Sequence, residues 1–103
     1  MGIEEKMESK WKEITSTKDE RETLFENFED NKDRIAELHF EVEIKQLQYM
    51  LLKRQQLAEL KKATLDPDSV VRIEEINETC VELARKRLVE FGYSERLKQE
   101  GLI

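Results

Sequence analysis

From Lys18 to Ala63 the sequence contains no Gly and no Pro, and its apolar residues recur in two separate rows. One row runs Leu24, Phe28, Asn31, Ile35, Leu38, Val42, Lys45, Tyr49, Leu52 in alternating steps of four and three. The other runs Phe40, Ile44, Leu47, Leu51 with the same alternation. Such steps mark a helix face, and at about 100° per residue the two rows lie nearly opposite each other. A helix that is apolar on two opposed sides has to be sandwiched between two layers rather than laid on one.

The flanking patterns are simpler. Ile3, Met7, Trp11 and Ile14 share one face and predict a helix over 3–14. Thr15-Ser16-Thr17 reads as the first break, with Thr17 and Glu20 forming a capping box that opens the next helix. The second break is Leu65-Asp66-Pro67-Asp68-Ser69, where Pro67 suits a first helical turn. Beyond it, Ile73, Ile76, Cys80, Leu83, Ala84, Leu88 and Phe91 predict the buried face of a helix over 68–91, with Val71 and Val89 behind. Gly92 and Gly101 stand where glycines end helices, bounding a last short helix over 94–100. The expected fold is all-α, one domain over 1–103. It is a long-helix antiparallel hairpin, like a helical bundle or coiled coil, with a short N-terminal and a short C-terminal helix.

Length sharpens this expectation. A helix over 18–63 would be about 69 Å long and one over 68–91 about 36 Å. If they turn near residue 66, facing residues satisfy i + j of about 132. Residues 18–40 then lack a partner. Either the long helix breaks at Asp30-Asn31-Lys32-Asp33 and folds back, or a second copy supplies the missing layer. The second solution is the expectation here: a homo-oligomer, most simply a dimer. Its interface would be drawn from Leu24, Phe25, Phe28, Asn31, Ile35, Leu38, Phe40, Ile44, Leu47 and Leu51. Asn31 and Lys45 interrupt the first row, and polar residues at such positions fix register or partner number. Of the aromatic residues Trp11, Phe25, Phe28, Phe40, Phe91 and Tyr93, most are expected in the core and the rest as anchors for a partner.

Charge narrows the function classes. There are 24 acidic and 18 basic residues, a net of −6, and the surplus is interleaved with Lys and Arg. No segment forms a basic footprint, so nucleic-acid binding is not expected. The hairpin register instead places Lys53 and Arg54 near Glu78 and Glu82, and Lys61 near Glu74 or Glu75. It also places Arg85-Lys86-Arg87 near Glu41 and Glu43. The longest apolar run is Tyr49-Met50-Leu51-Leu52, too short to span a membrane, and the charged N-terminus has no apolar signal core.

Candidate chemistry is sparse. His39 is the only histidine, and Ala36 stands three residues before it where a di-iron helix would need Glu. No Cys-x-x-Cys, nucleophile elbow or glycine-rich phosphate loop occurs. Asp66-Pro67-Asp68 and Asp30-Asn31-Lys32 both fail the calcium-loop spacing. The single Cys80 reads as a small core hydrophobe and suits a reducing cytoplasm, of a cell or of a virus-infected host. Gly101-Leu102-Ile103 is expected to dock on the helical body. No cofactor and no metal is expected.

The stretch Leu51-Leu52-Lys53-Arg54-Gln55-Gln56-Leu57-Ala58 resembles part of the long helix of the all-helical chorismate mutases, over under a tenth of the chain. That resemblance implies a small dimeric enzyme with several cations converging on a dicarboxylate. The N-terminal arginine that fold requires has no counterpart, and no catalytic residue carries over. The leading expectation is therefore a non-enzymatic cytoplasmic interaction module (adaptor, scaffold or inhibitor). Its partners would be itself and another protein, with no nucleic acid and no membrane. The mutase-like enzyme and an acidic mimic of nucleic acid are the alternatives.

Overall fold

The computed structural model describes residues 2–103. Four α-helices follow in order: α1 (Ile3–Leu24), α2 (Phe28–Ala63), α3 (Pro67–Glu90) and α4 (Ser94–Gln99). A 3-10 turn, Phe25–Asn27, joins the first two. The α2 helix has 36 residues, and at 1.5 Å per residue it alone accounts for the 54 Å long dimension of the molecule. α2 and α3 form the expected antiparallel hairpin. Asp66 caps α3 by accepting from the Ser69 backbone N–H, with Pro67 in the first turn.

Both apolar rows of α2 are covered, on opposite sides. Leu38 and Val42, each 3 % exposed, face α1, whose Met7, Ile14 and Thr17 are buried in turn. Ile44 and Leu47 face the other way into a cluster with Val81, Leu88, Leu97 and Leu102, flanked by Phe40, Met50, Leu51, Ala84 and Tyr93. The sandwich inferred from the sequence is therefore present, and within one chain.

Its first layer differs from the expectation. α1 does not stop at residue 14 but continues to Leu24, then folds back antiparallel on α2, so the cover for 28–45 comes from the chain's own N-terminus. Thr15-Ser16-Thr17 does not break the helix. The Thr17 hydroxyl donates to the Glu13 carbonyl at 2.8 Å, an i to i−4 bond that satisfies it inside the helix. The break falls at Phe25–Asn27 rather than at 30–33. Asn27 takes φ −123° and ψ 56°, a conformation outside the helical region that Asn tolerates well. Asn31 Nδ2 donates to the Asn27 carbonyl at 3.1 Å, tying the first turn of α2 to the residue that opens it. Asp30 to Asp33 remain helical.

α3 is also rotated relative to the expectation. It buries Val70, Val81 and Leu88, with Ala84 partly covered, and not the row beginning Ile73-Ile76-Cys80-Leu83. Polar contacts with α2 hold this orientation. Arg54 donates twice to Glu78, Lys61 to Glu74, Arg87 to Glu43, and Asn77 Nδ2 to the Met50 carbonyl. Their residue sums cluster near the 132 expected from the hairpin, so the register was legible although the helix phase was not. Gly92 and Gly101, at φ 89° and 70°, end α3 and α4. Each is followed by a backbone N–H reaching back five residues, Tyr93 to Leu88 and Leu102 to Leu97.

Candidate functional site

The ten residues expected to form a partner interface divide by the fold. Ile35, Leu38, Ile44 and Leu47 are buried inside the chain and cannot meet a partner. Leu24, Asn31, Phe40 and Leu51 are half-buried, Asn31 being engaged in the turn and Phe40 packed against Phe91 and Tyr93. Only Phe25 and Phe28 are exposed, stacked at 6.0 Å on the tip of the α1–α2 hairpin. Most of the aromatic residues lie outside the core, since Trp11 and Phe91 are exposed as well. Trp11 rests against Tyr49 at a centroid distance of 5.7 Å.

The large uncovered apolar surface is on α3. Ile76 is 65 % and Leu83 61 % exposed, Ile73 is exposed, and Cys80 lies between them at the surface rather than in the core. These four residues are spaced three, four and three apart, continuing through Arg87 to Phe91. At about 100° per residue this row lies roughly a quarter-turn from the Val70-Val81-Leu88 row that packs on α2. One helix thus carries two adjacent rows with coiled-coil spacing, and the structure covers only one.

The face has a defined side. The C-terminal segment crosses the opposite flank, where Arg85 Nε donates to the Leu102 carbonyl at 2.6 Å. The Arg96 guanidinium clamps α4 to α2 through Glu41 and reaches Glu100 as well. The row is left open on its other flank, where a groove between α2 and α3 is lined by Gln46, Met50, Cys80, Leu83 and Arg87. Toward the far end, a second hollow brings Ile3 of α1 and Leu57 and Leu60 of α2 beside Ile73.

Some of the charges near this face are paired within the chain. Hydrogen bonding to Arg54 holds the Glu78 carboxyl below the ordinary carboxylate range, and Arg96 does the same to Glu41. Arg87 is held by Glu43 and lies 5.1 Å over the Phe91 ring. His39 Nδ1 accepts from Arg21 at 3.3 Å, its other nitrogen lying 3.8 Å from Glu43. Arg54 belongs to the stretch that resembles a mutase helix, and its guanidinium is committed to Glu78 rather than aimed at an open pocket. Among the described residues no cluster of three or more His, Cys, Asp or Glu side chains could hold a metal ion. Among the described residues no helix is long and apolar enough to cross a membrane.

The sequence contained the signal for this face, since the row Ile73-Ile76-Cys80-Leu83 was plain. What it lacked was the phase of α3 against α2, which the Asn77 and Arg54 contacts decide. No protein-family model, curated protein or solved structure matches this chain.

Proposed function

We propose that this protein is a helical protein–protein interaction module that acts as a homo-oligomer, working through surfaces rather than through a reaction. The observation that carries this reading is the uncovered row Ile73-Ile76-Cys80-Leu83 on an otherwise well-packed helix. Contiguous exposed side chains of this size, at helical spacing, favour association over a solvated surface. The mutase-like alternative needs free cations converging on one pocket, and Arg54, Arg87 and Arg96 each have carboxylate partners within the chain.

The reading is tested by the solution mass of the full chain, measured by light scattering from low to high micromolar concentration. The expected result is a rise above the 12.3 kDa of one chain as concentration increases. A mass fixed at one chain throughout that range overturns it.

A further inference from the structure

We infer that His39 is a proton-sensitive latch: neutral, it fastens the tip end of α1 to α2, and protonated, it releases α1 and turns to Glu43. The association proposed above neither requires this device nor follows from it.

The contacts define the neutral state. A guanidinium only donates, so Arg21 Nη1 at 3.3 Å makes His39 Nδ1 the acceptor and leaves the ring proton on Nε2. Nε2 lies 3.8 Å from Glu43 Oε1, which accepts a 2.6 Å hydrogen bond from Arg87 Nε. Among the described residues, Glu43 Oε2 is buried and accepts no hydrogen bond, and Arg21 Nε is buried and donates none. The sole histidine thus stands in a polar row that crosses the three long helices, from Arg21 of α1 through His39 and Glu43 of α2 to Arg87 of α3.

A proton added at Nδ1 removes the acceptor and sets an imidazolium against a guanidinium. The same proton strengthens the attraction to Glu43, whose Oε2 has capacity for Nε2–H without displacing Arg87 from Oε1. Glu22 is the other charged group at Arg21, with its carboxylate 3.4 Å from Nη2, and it takes up the released guanidinium. The Phe40 ring meets the imidazole edge-on at 5.3 Å and brings no charge. Acid therefore exchanges a contact between helices for one within α2 and one within α1.

The sign of the effect follows from which neighbour moves. Glu43 stands one turn from His39 on the same helix, whether or not α1 is docked, whereas Arg21 faces it only when α1 is docked. The docked state binds the proton less readily than the undocked one, so the contact contributes at higher pH and is lost as the imidazole charges. Histidine side chains change charge between about pH 8 and 5, and the Glu41 and Glu78 carboxylates stay charged through that range. The released length is short. Thr17 remains tied to Lys45 at 2.8 Å, so the loosened segment is 18–24 together with the Phe25–Phe28 tip. Only the exposed Glu20–Arg34 ion pair also bridges the two helices there.

Amide hydrogen exchange of the full chain, read residue by residue by NMR at pH 7.5 and 5.5 and corrected for the intrinsic pH dependence of exchange, tests the latch. Opening of residues 18–24 is expected to rise about fivefold at the lower pH, the size of one partly solvated charge contact, while α3 is unchanged. His39→Gln keeps an acceptor for Arg21 at every pH and is expected to abolish the rise. Arg21→Gln removes the repulsion and is expected to abolish it as well. Imidazole nitrogen shifts of the wild-type chain give a readout that needs no variant, and at pH 8 they are expected to show the Nε2–H tautomer. The opposite tautomer, no rise in the wild type, a rise shared equally by α3, or a rise that persists in either variant overturns the inference.

Discussion

Lys45 Nζ donates to Thr17 Oγ1 at 2.8 Å, joining the middle of α2 to the middle of α1 inside an otherwise apolar seam. Lys45 is the residue that interrupts the hydrophobic row of α2, and Thr17 is the buried polar residue of α1. The Thr17 hydroxyl is used fully, since it also donates to the Glu13 carbonyl. Sliding α1 by one turn would bring Ile14 or Arg21 to Lys45 and leave Thr17 buried without its lysine donor. A polar layer of this kind contributes less to affinity between the helices than to the choice of one alignment.

Replacing Thr17 by Val keeps the shape and removes the acceptor, and the expected cost is about 1 kcal/mol of folding stability. Lys45→Met is expected to cost less, because Thr17 keeps its bond to Glu13. The double variant should be more stable than the two losses added together, with a coupling of about 0.5–1 kcal/mol. Urea denaturation of the four proteins measures this directly. Simple additivity would mean that the contact contributes nothing.

The two-sided character of α2 was readable because Leu38-Val42 and Ile44-Leu47 repeat at helical steps, and periodicity depends on local sequence alone. The α2–α3 register was readable for a similar reason: Pro67 fixes the turn, and Arg54, Lys61 and Arg87 then find Glu78, Glu74 and Glu43. Two features were not readable. The break at Asn27 depends on a backbone conformation that no Gly or Pro announces, and Asp30-Asn31-Lys32-Asp33 looked weaker as helix. The phase of α3 depends on which of two adjacent apolar rows meets α2, and both rows have the same spacing. The second misreading hid the candidate site, because it assigned Ile73, Ile76 and Leu83 to the core.

Truncating either row of α2 should be equally damaging if both are sandwiched within one chain. Leu38→Ala and Leu47→Ala are each expected to cost about 2–5 kcal/mol. Phe28→Ser, at the exposed tip, is expected to cost under about 1 kcal/mol. Chemical denaturation at low protein concentration isolates the intrachain term. A small loss at Leu38 alone would mean that α1 does not cover that side.

Acid should loosen the clamps on either side of α2. Glu41 and Glu78 have carboxyl groups held below their ordinary range by Arg96 and Arg54. A carboxylate depressed in the folded state contributes stability above its unfolded pKa and loses it as pH falls through the lower folded value. The denaturation midpoint is therefore expected to decline below about pH 5. Both pairs are partly solvated, so each contributes at most about 1 kcal/mol. Glu41→Gln should lower stability near neutral pH and flatten the acid slope, which a pH series of urea melts would reveal.

Gly92 has φ 89°, and no atom lies within 4 Å of where a Cβ would stand. The cost of Gly92→Ala is therefore backbone strain alone, about 1–2 kcal/mol. Gly92→Asn should lose less, because Asn accepts the left-handed region more readily. Thermal melts of the two variants rank them, and an Ala variant as stable as wild type would contradict the helix-ending geometry.

The C-terminus offers a test in which one deletion is harmless and the next is not. Leu102 is buried against Leu88 and Leu97, its N–H reaches the Leu97 carbonyl at 2.8 Å, and its carbonyl accepts from Arg85. Ile103 is half exposed. A chain ended at Leu102 carries its terminal carboxylate there, where Arg85 already donates, so a guanidinium-to-carbonyl hydrogen bond becomes an ion pair. The melting temperature is expected to hold or rise slightly. Removing Leu102 as well empties a site in the core and strips Arg85 of its acceptor, with an expected loss of about 2–4 kcal/mol. Equal melting temperatures for the two truncations would mean that the terminal segment is not part of the packed fold. A fall on losing Ile103 alone would mean that Arg85 does not accept the new carboxylate.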